Sequence, residues 1–261
     1  MADSLDNKLR SPYVLTGLEP IRVLGTSVTQ MQSVKAAAEA DLGIELDFIT
    51  LDGAAAQRRC ALQPLSFDVY DQWFHDLDLV WPTGSLQPIK VSRLLSWENI
   101  SGLPKIGQIG QNFNIVFGVD PSERLYVQLD GRLSKTPSSL ISMVPTVHNS
   151  DGFAVVGNDI DATSWATLLD PNFSGRVILQ SDPAIGALDI LLALKANGEM
   201  SPKNIADLTL EEVDELVEHL ARYRLSGQFH TIWNDEAEAG DALKDGKSII
   251  GSLWWSGAIQ L

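Results

Sequence analysis

From Ile21 onward, short apolar runs alternate with helix-period segments: IRVLG, a helix around MQSVKAAAEADLG, IELDFITL, AAAQRRCAL and FDVYDQ. Strand, helix, strand, helix, strand is the order of a parallel sheet with crossover helices. Gly43 closes the first helix, since glycine accepts left-handed backbone without steric penalty.

The pattern then loosens. LQPIKV, with its internal proline, reads as a strand edge or loop, and SRLLSWENI as a short helix. Residues 101–138 carry many Gly, Pro, Ser and Asn with no sustained period, which predicts a long irregular excursion holding one strand, RLYVQL. ISMVPTVHN and GFAVVGN are β-branched apolar runs separated by Ser150 and Asp151, and a crossing between two lobes is expected there.

A second alternation follows: helix SWATLLD, strand GRVILQ, helix AIGALDILLALKANGE, helix TLEEVDELVEHLARYRL, strand FHTIW, helix EAEAGDALKDG and strand SIIGSLW. Thr209 with Glu212 three residues on forms a capping box, and Leu210, Val213, Leu216, Val217 and Leu220 trace one apolar face. The acids Glu211, Glu212, Asp214, Glu215 and Glu218 read better as a solvated face near a helix start than as a cation site.

Composition narrows the function classes. At 261 residues, with 44% hydrophobic and 20% charged side chains, the chain falls in the ordinary globular range. A formal net charge of −15 argues against nucleic acid, which is bound by clustered Lys and Arg that displace counterions. The single cysteine, Cys60, excludes an intrachain disulfide, and AAAQRRCAL favours a packed helix thiol over a reactive one. No apolar run reaches the roughly 18 residues that spanning a bilayer needs. MADSLDNKLRSPYVL lacks the regions of a secretory signal, so either a cytosolic chain or a removed leader is expected.

Signatures of common catalysis are absent: no P-loop, GxSxG, HExxH or CxxC occurs. His75, His148, His219 and His230 are scattered, none at i, i+4 from another, so no metal site and no cofactor are expected. Gly25, Thr26 and Ser27 lie between a strand and a helix, where backbone N–H groups attract polar ligands, but GTSVTQ lacks dinucleotide-binding spacing. Tyr70, Asp71, Gln72 and Trp73 sit where a strand ends, the edge at which open α/β sheets bind ligands. Tyr70 and Trp73 are equally open to packing beneath the next helix. Trp254 and Trp255 end the last strand, where they read either as a pocket wall, able to attract cations, or as core.

Taken in order, FDVYDQWF, LQPIKVSRLLSWENI, MVPTVHNSDGFAVVGND, SWATLLDPNFSGRVILQSDP and LKDGKSIIGSLWWSGAIQ resemble the polyamine-binding branch of the periplasmic solute-binding proteins, over almost the whole chain. The resemblance implies an α/β, two-lobed, type II periplasmic-binding-protein fold with a ligand cleft closed by hinge motion. Residues 1–147 would form the first lobe, 148–255 the second and 256–261 the start of a return crossing. Ser27, Tyr70, Gln72, Trp73, Asp182 and Trp255 would face the solute, with His148, Asn149 and Asp151 at the crossing.

Two departures accompany the resemblance. The loop after Asp182 reads PAIG, and Ala258 follows Ser256 and Gly257, so two acidic contacts of spermidine/putrescine binders are missing. The chain also stops at Leu261, before the return to the first lobe, and a form truncated at its C-terminus with exposed sheet edges is expected. The implied function is capture of a small solute, with amine-containing compounds among the candidates, for ABC permease subunits in the membrane, in a periplasmic location. The alternative is an enzyme on the same fold, using Asp71, Asp182 or His148, or a cytosolic ligand sensor.

Overall fold

A computed structural model describes residues 19–109, 113–114, 120–157, 159–160 and 162–254. The chain forms two compact units, which among the described residues comprise 19–114 with 120–144, and 145–254.

In the first unit, β1 (Ile21–Gly25), α1 (Gln32–Leu42), β2 (Leu46–Thr50), α2 (Gly53–Leu62) and β3 (Val69–Asp71) follow the expected alternation. The sheet is parallel, in the order β2-β1-β3, with Val23 opposite both Phe48 and Val69. Asp52 caps α2 by accepting from the Ala55 N–H at 2.8 Å, and α2 buries Ala56 and Cys60 against Leu24, Phe67, Leu77 and Val80. Burial, and then the nearby Asp76, push the Cys60 thiol up to about 11. It is a packed thiol, as its helix position implies. Helix α1 buries no residue at all.

Beyond α3 (Leu77–Val80) the elements become very short: β4 (Ile89–Lys90), α4 (Gly102–Ile106), β5 (Gln108–Ile109), β6 (Phe113–Asn114), β7 (Tyr126–Val127), β8 (Leu133–Ser134) and β9 (Leu140–Ile141). Strands β4, β9, β7 and β8 make a small antiparallel sheet over Leu125, Tyr126 and Ile141. The expected strand RLYVQL contracts to two residues. A 3-10 turn capped by Asp120 occupies Pro121–Arg124, and a turn with Gly131 at φ 82° reverses the chain after Gln128. SRLLSWENI forms two 3-10 turns, Val91–Arg93 and Trp97–Asn99, in place of a helix. ISMVPTVHN pairs only through its start: Ile141 meets Ile89 and Tyr126, whereas Pro145 has no N–H to offer a ladder.

The second unit contains β10 (Asp151–Val155), β11 (Val177–Gln180), α5 (Ile185–Asn197), α6 (Leu210–Leu225), β12 (Phe229–Trp233), α7 (Glu236–Lys244) and β13 (Ile250–Trp254). Its sheet runs β10-β13-β11-β12, parallel except for β10, which is antiparallel to β13. Val177 and Leu179 pack with Ile190, Leu194 and Leu216 from α5 and α6, while Ile178 packs with Ala239 and Leu243 of α7. Successive strand residues thus serve opposite faces. Each fully buried aliphatic side chain contributes roughly 1.5–3 kcal/mol.

Two expectations for this unit need correction. SWATLLD is a 3-10 helix, Trp165–Leu169, because Asp170 precedes Pro171 and is held extended. The capping box of α6 is present, but its apolar stripe is rotated from the one expected: Leu216, Leu220 and Tyr223 reach the core, while Leu210 is 79% and Val217 57% exposed. At 100° per residue those two lie roughly a quarter to a third of a turn from the buried line. Among the described residues no helix is long and apolar enough to cross a membrane.

Candidate functional site

In the first unit, polar groups gather at the carboxyl edge of the sheet. After β1 the chain turns through Thr26–Thr29, and Gly25 is required there because a Cβ would lie 2.5 Å from the Asp71 carbonyl oxygen and 2.9 Å from Gln30 Nε2. Buried Gln30 ties the strands together, donating to the Val23 carbonyl at 2.8 Å and accepting from Thr50 Oγ1 at 2.6 Å. Thr29 Oγ1 donates to Asp71 Oδ2 at 2.5 Å. Ser27 is exposed in this turn.

The cluster after β3 divides its work. The Tyr70 hydroxyl donates to Asp76 Oδ2 at 2.9 Å, and Gln57 Nε2 donates to the other Asp76 oxygen at 3.0 Å. Burial, then the Asp76 carboxylate, push the Tyr70 phenol upward. Its hydroxyl is therefore committed inward. Gln72 Nε2 donates to the Gly53 carbonyl at 3.3 Å, and its Oε1 accepts from the Trp73 N–H at 3.1 Å. The Trp73 ring stacks on His75 at 5.7 Å and lies against Gly53, where a Cβ would collide with it. Gln72 and Trp73 are both half-buried.

In the second unit, the carboxyl ends of β11, β12 and β13 and the start of β10 share one edge: Asp151 is opposite Trp254, and Gln180 is opposite Trp233. Trp233 is buried, donates Nε1–H to the Ser252 carbonyl at 3.0 Å, and meets Trp254 edge to face at 5.6 Å. His148 and Asn149 lie exposed in the segment before β10. Asp182 is half-buried and holds the start of α5, its Oδ1 accepting from the N–H groups of Ala184 and Ile185 at 2.9 Å each. Gly186, one turn on, lets α5 approach β11, since a Cβ there would collide with the Gln180 carbonyl. Trp255 lies outside the described residues.

Sequence reasoning missed the most unusual group at this edge. Asp189, on α5, is fully buried; its Oδ2 accepts from the Ser252 hydroxyl, and its side chain also bonds that of Asp151. Burial pushes Asp189 up to about 7; burial, then the charge of Asp189, push Asp151 up to about 8. The signal was available: Asp189 is the lone acid inside ALDILLALKA, where a solvated role is implausible for a helix apolar all round.

Among the described residues, no group of three or more His, Cys, Asp or Glu side chains is placed to hold a metal ion. A surface hollow lined by Glu19, Arg22, Asp47 and Asp68 opens at the opposite, amino edge of the first sheet. Its arginine is already paired with Asp68 at 2.9 Å, so it offers less chemistry than the carboxyl edges.

No protein-family model matches the chain, and no curated protein does. Solved structures do. The spermidine/putrescine ABC transporter substrate-binding protein of Streptococcus pneumoniae is 15% identical, with TM-score 0.58 over 93% of this chain and 64% of its own. Iron-bound HitA of Pseudomonas aeruginosa is 14% identical, with TM-score 0.54 over 91% of this chain and 63% of its own. The ferric binding protein of Campylobacter jejuni is 11% identical, with TM-score 0.52 over 90% of this chain and 61% of its own. The chain thus spans less than two thirds of the length of these proteins. With its two α/β units and their parallel-dominated sheets, it has the type II periplasmic-binding-protein fold.

Proposed function

We propose that the chain is the solute-binding component of an ABC importer, acting outside the cytoplasmic membrane and delivering a small solute, chemically unchanged, to permease subunits. The observation that carries this reading is the gathering of polar and aromatic groups at the carboxyl edge of each sheet, the place where α/β folds bind ligands. Ser27, Gln72 and Trp73 are the candidates on the first unit, with Tyr70 behind them. Asp151, Asp182, His148, Asn149 and Trp255 are the candidates on the second.

The solute class we favour is a small amine. Solved neighbours of this fold include both spermidine/putrescine and ferric binders, so the fold leaves the class open. Acidic groups beside aromatic ones favour an ammonium over an anion.

A thermal-shift screen of the chain against polyamines, quaternary amines, amino acids, sugars, organic anions and ferric citrate tests the reading. A solute that binds only the native state adds about 2.7 kcal/mol of stability at a hundredfold excess over its Kd. Amines are expected to raise the melting temperature and to be recovered unchanged by mass spectrometry. Consumption of the solute, or a cooperative melt that no class of solute shifts, would defeat it.

A further inference from the structure

The second sheet ends in an unguarded strand. In the order β10-β13-β11-β12, β12 pairs with β11 on one side and with no described strand on the other. Its sequence, FHTIW, is rich in β-branched and aromatic residues and holds no Lys, Pro or acid, the residues that usually blunt an edge. β10, at the opposite edge, carries Asp151 and Gly152. Trp233 turns toward Ala239 and Leu243 of α7, so its neighbour Ile232, 39% exposed, faces the other side, that of α6.

Helix α6 borders this free edge with a second apolar stripe. His219 and Arg222 reach Glu199, just past the end of α5, at 3.6 and 2.5 Å, which fixes the side of α6 turned to α5. Val213, Val217, Ala221 and Arg224 fall within about 80° of one another, roughly half a turn from that side, with Leu225 beside them. All five are exposed. Phe229 of β12 packs into the same cluster as Leu220 and Tyr223, so α6 lies over the outermost strand and its stripe points past the free side of the sheet.

We propose that this side of the second unit is the interface of a twofold dimer of the chain, in which β12 pairs antiparallel with β12 of a second copy and the two α6 helices pack antiparallel above them. A twofold axis perpendicular to the sheet produces both pairings at once, as a self-complementary interface requires. Opposing Val217 to Ala221 of the second copy sets Val213 against Leu225 and Asp214 against Arg224, since antiparallel partners keep a constant sum of residue numbers. Charge complementarity selects this occupant. The acids of α6 lie in its first half and its arginines at its end, and neither Asp214 nor Arg224 has an ion-pair partner among the described residues. The joined edges satisfy each other's backbone N–H and C=O groups, and the stripe and Ile232 leave water. Pairing along the side of the sheet leaves the carboxyl ends of its strands, where the candidate solute residues stand, uncovered, so the dimer is independent of the solute-binding reading.

Sedimentation equilibrium of the full chain from about 2 to about 200 µM tests the interface, a span that covers weak association through a small contact. A reversible monomer–dimer equilibrium is expected; a chain monomeric throughout overturns the proposal. Val217→Glu sets two carboxylates beside the twofold and should raise the dissociation constant at least about tenfold. Ile232→Lys, aimed at the strand edge, should weaken the dimer independently. Both positions are exposed, so each variant should melt cooperatively like the parent. A dimer that neither change weakens forms elsewhere and overturns the proposal as well. Arg224→Glu should weaken association about threefold or more, and adding Asp214→Arg to it should restore most of the loss. Failure of that exchange to restore the dimer overturns the antiparallel arrangement on which the interface depends.

Discussion

The two units build the same alternation of strand and helix and bury it to different depths. In the second, a four-stranded sheet is covered on both faces, by α5 and α6 on one side and α7 on the other. In the first, three parallel strands are covered by α2, while α1 buries nothing and leaves Val34 46% and Leu42 60% exposed. Equal periodicity therefore does not mean equal burial. A helix-period pattern states which face could be covered, and only the count of neighbouring layers decides whether it is.

The largest expected effect that sharpens this contrast is in the second core. Leu194→Ala, at a fully buried position of α5, should cost about 2–5 kcal/mol, the sum of lost transfer energy and the cavity left behind. Urea denaturation with an unchanged m-value would measure it. A loss below about 1 kcal/mol would mean that the core relaxes around the gap and is less tightly packed than its burial implies.

Close backbone approach gives the next effect, and it occurs in both units. Gly186→Ala forces a Cβ into the Gln180 carbonyl, and Gly25→Ala forces one toward the Asp71 carbonyl, so each should destabilise by about 1–3 kcal/mol. The backbone cannot swing aside as a side chain could. Gly25→Ala should also disturb the Thr29–Asp71 contact, visible as changed amide shifts at those two residues. A neutral result at Gly25 alone would identify the first sheet as the looser of the two.

The units should also differ in the sign of their pH response. Asp151 and Asp189 are raised in the folded chain by burial, so the folded state binds more protons than the unfolded one. Their contribution is complete below the ordinary carboxylate range and fades as pH rises through about 7 to 8. Asp68 of the first unit is lowered to about 2 by hydrogen bonds from Arg22, so its contribution is present above the ordinary range and fades as pH falls through about 2. That pair is exposed, and its share is the smaller. Melting temperatures across neutral pH should fall with rising pH and flatten in Asp151→Asn. A slope unchanged in that variant would place the titrating group elsewhere.

How much of this was legible in the sequence depends on the range of the interaction that decides each feature. Long elements with local signals were readable: β1, β2, α2, β11, β12 and β13 lie where their apolar runs put them, and the Thr209 capping box closes as its spacing requires. Two-residue strands such as β7 and β9 exist only because distant segments meet, and no window along the chain records that. The candidate site shows the same division. Tyr70, Gln72 and Trp73 were found because they follow a strand, but whether Tyr70 turns toward Asp76 or toward solvent depends on a 3-10 turn several residues on. Asp189 was overlooked because its meaning is set by Ser252 and Asp151, each dozens of residues away.

The smallest expected effect tests the uncovered helix directly. Replacing Val34 and Leu42 of α1 by Gln removes apolar surface that already faces water, so little transfer energy is at stake. Each change should lie within about 0.5 kcal/mol of zero, as for surface substitutions generally, with valine to glutamine slightly favourable on helix propensity. The same substitution at Leu194 would bury an amide without partners and should unfold the second unit. A loss above about 1.5 kcal/mol at Val34 would mean that this face is covered in solution, and the contrast between the units would then narrow to the number of strands in each sheet.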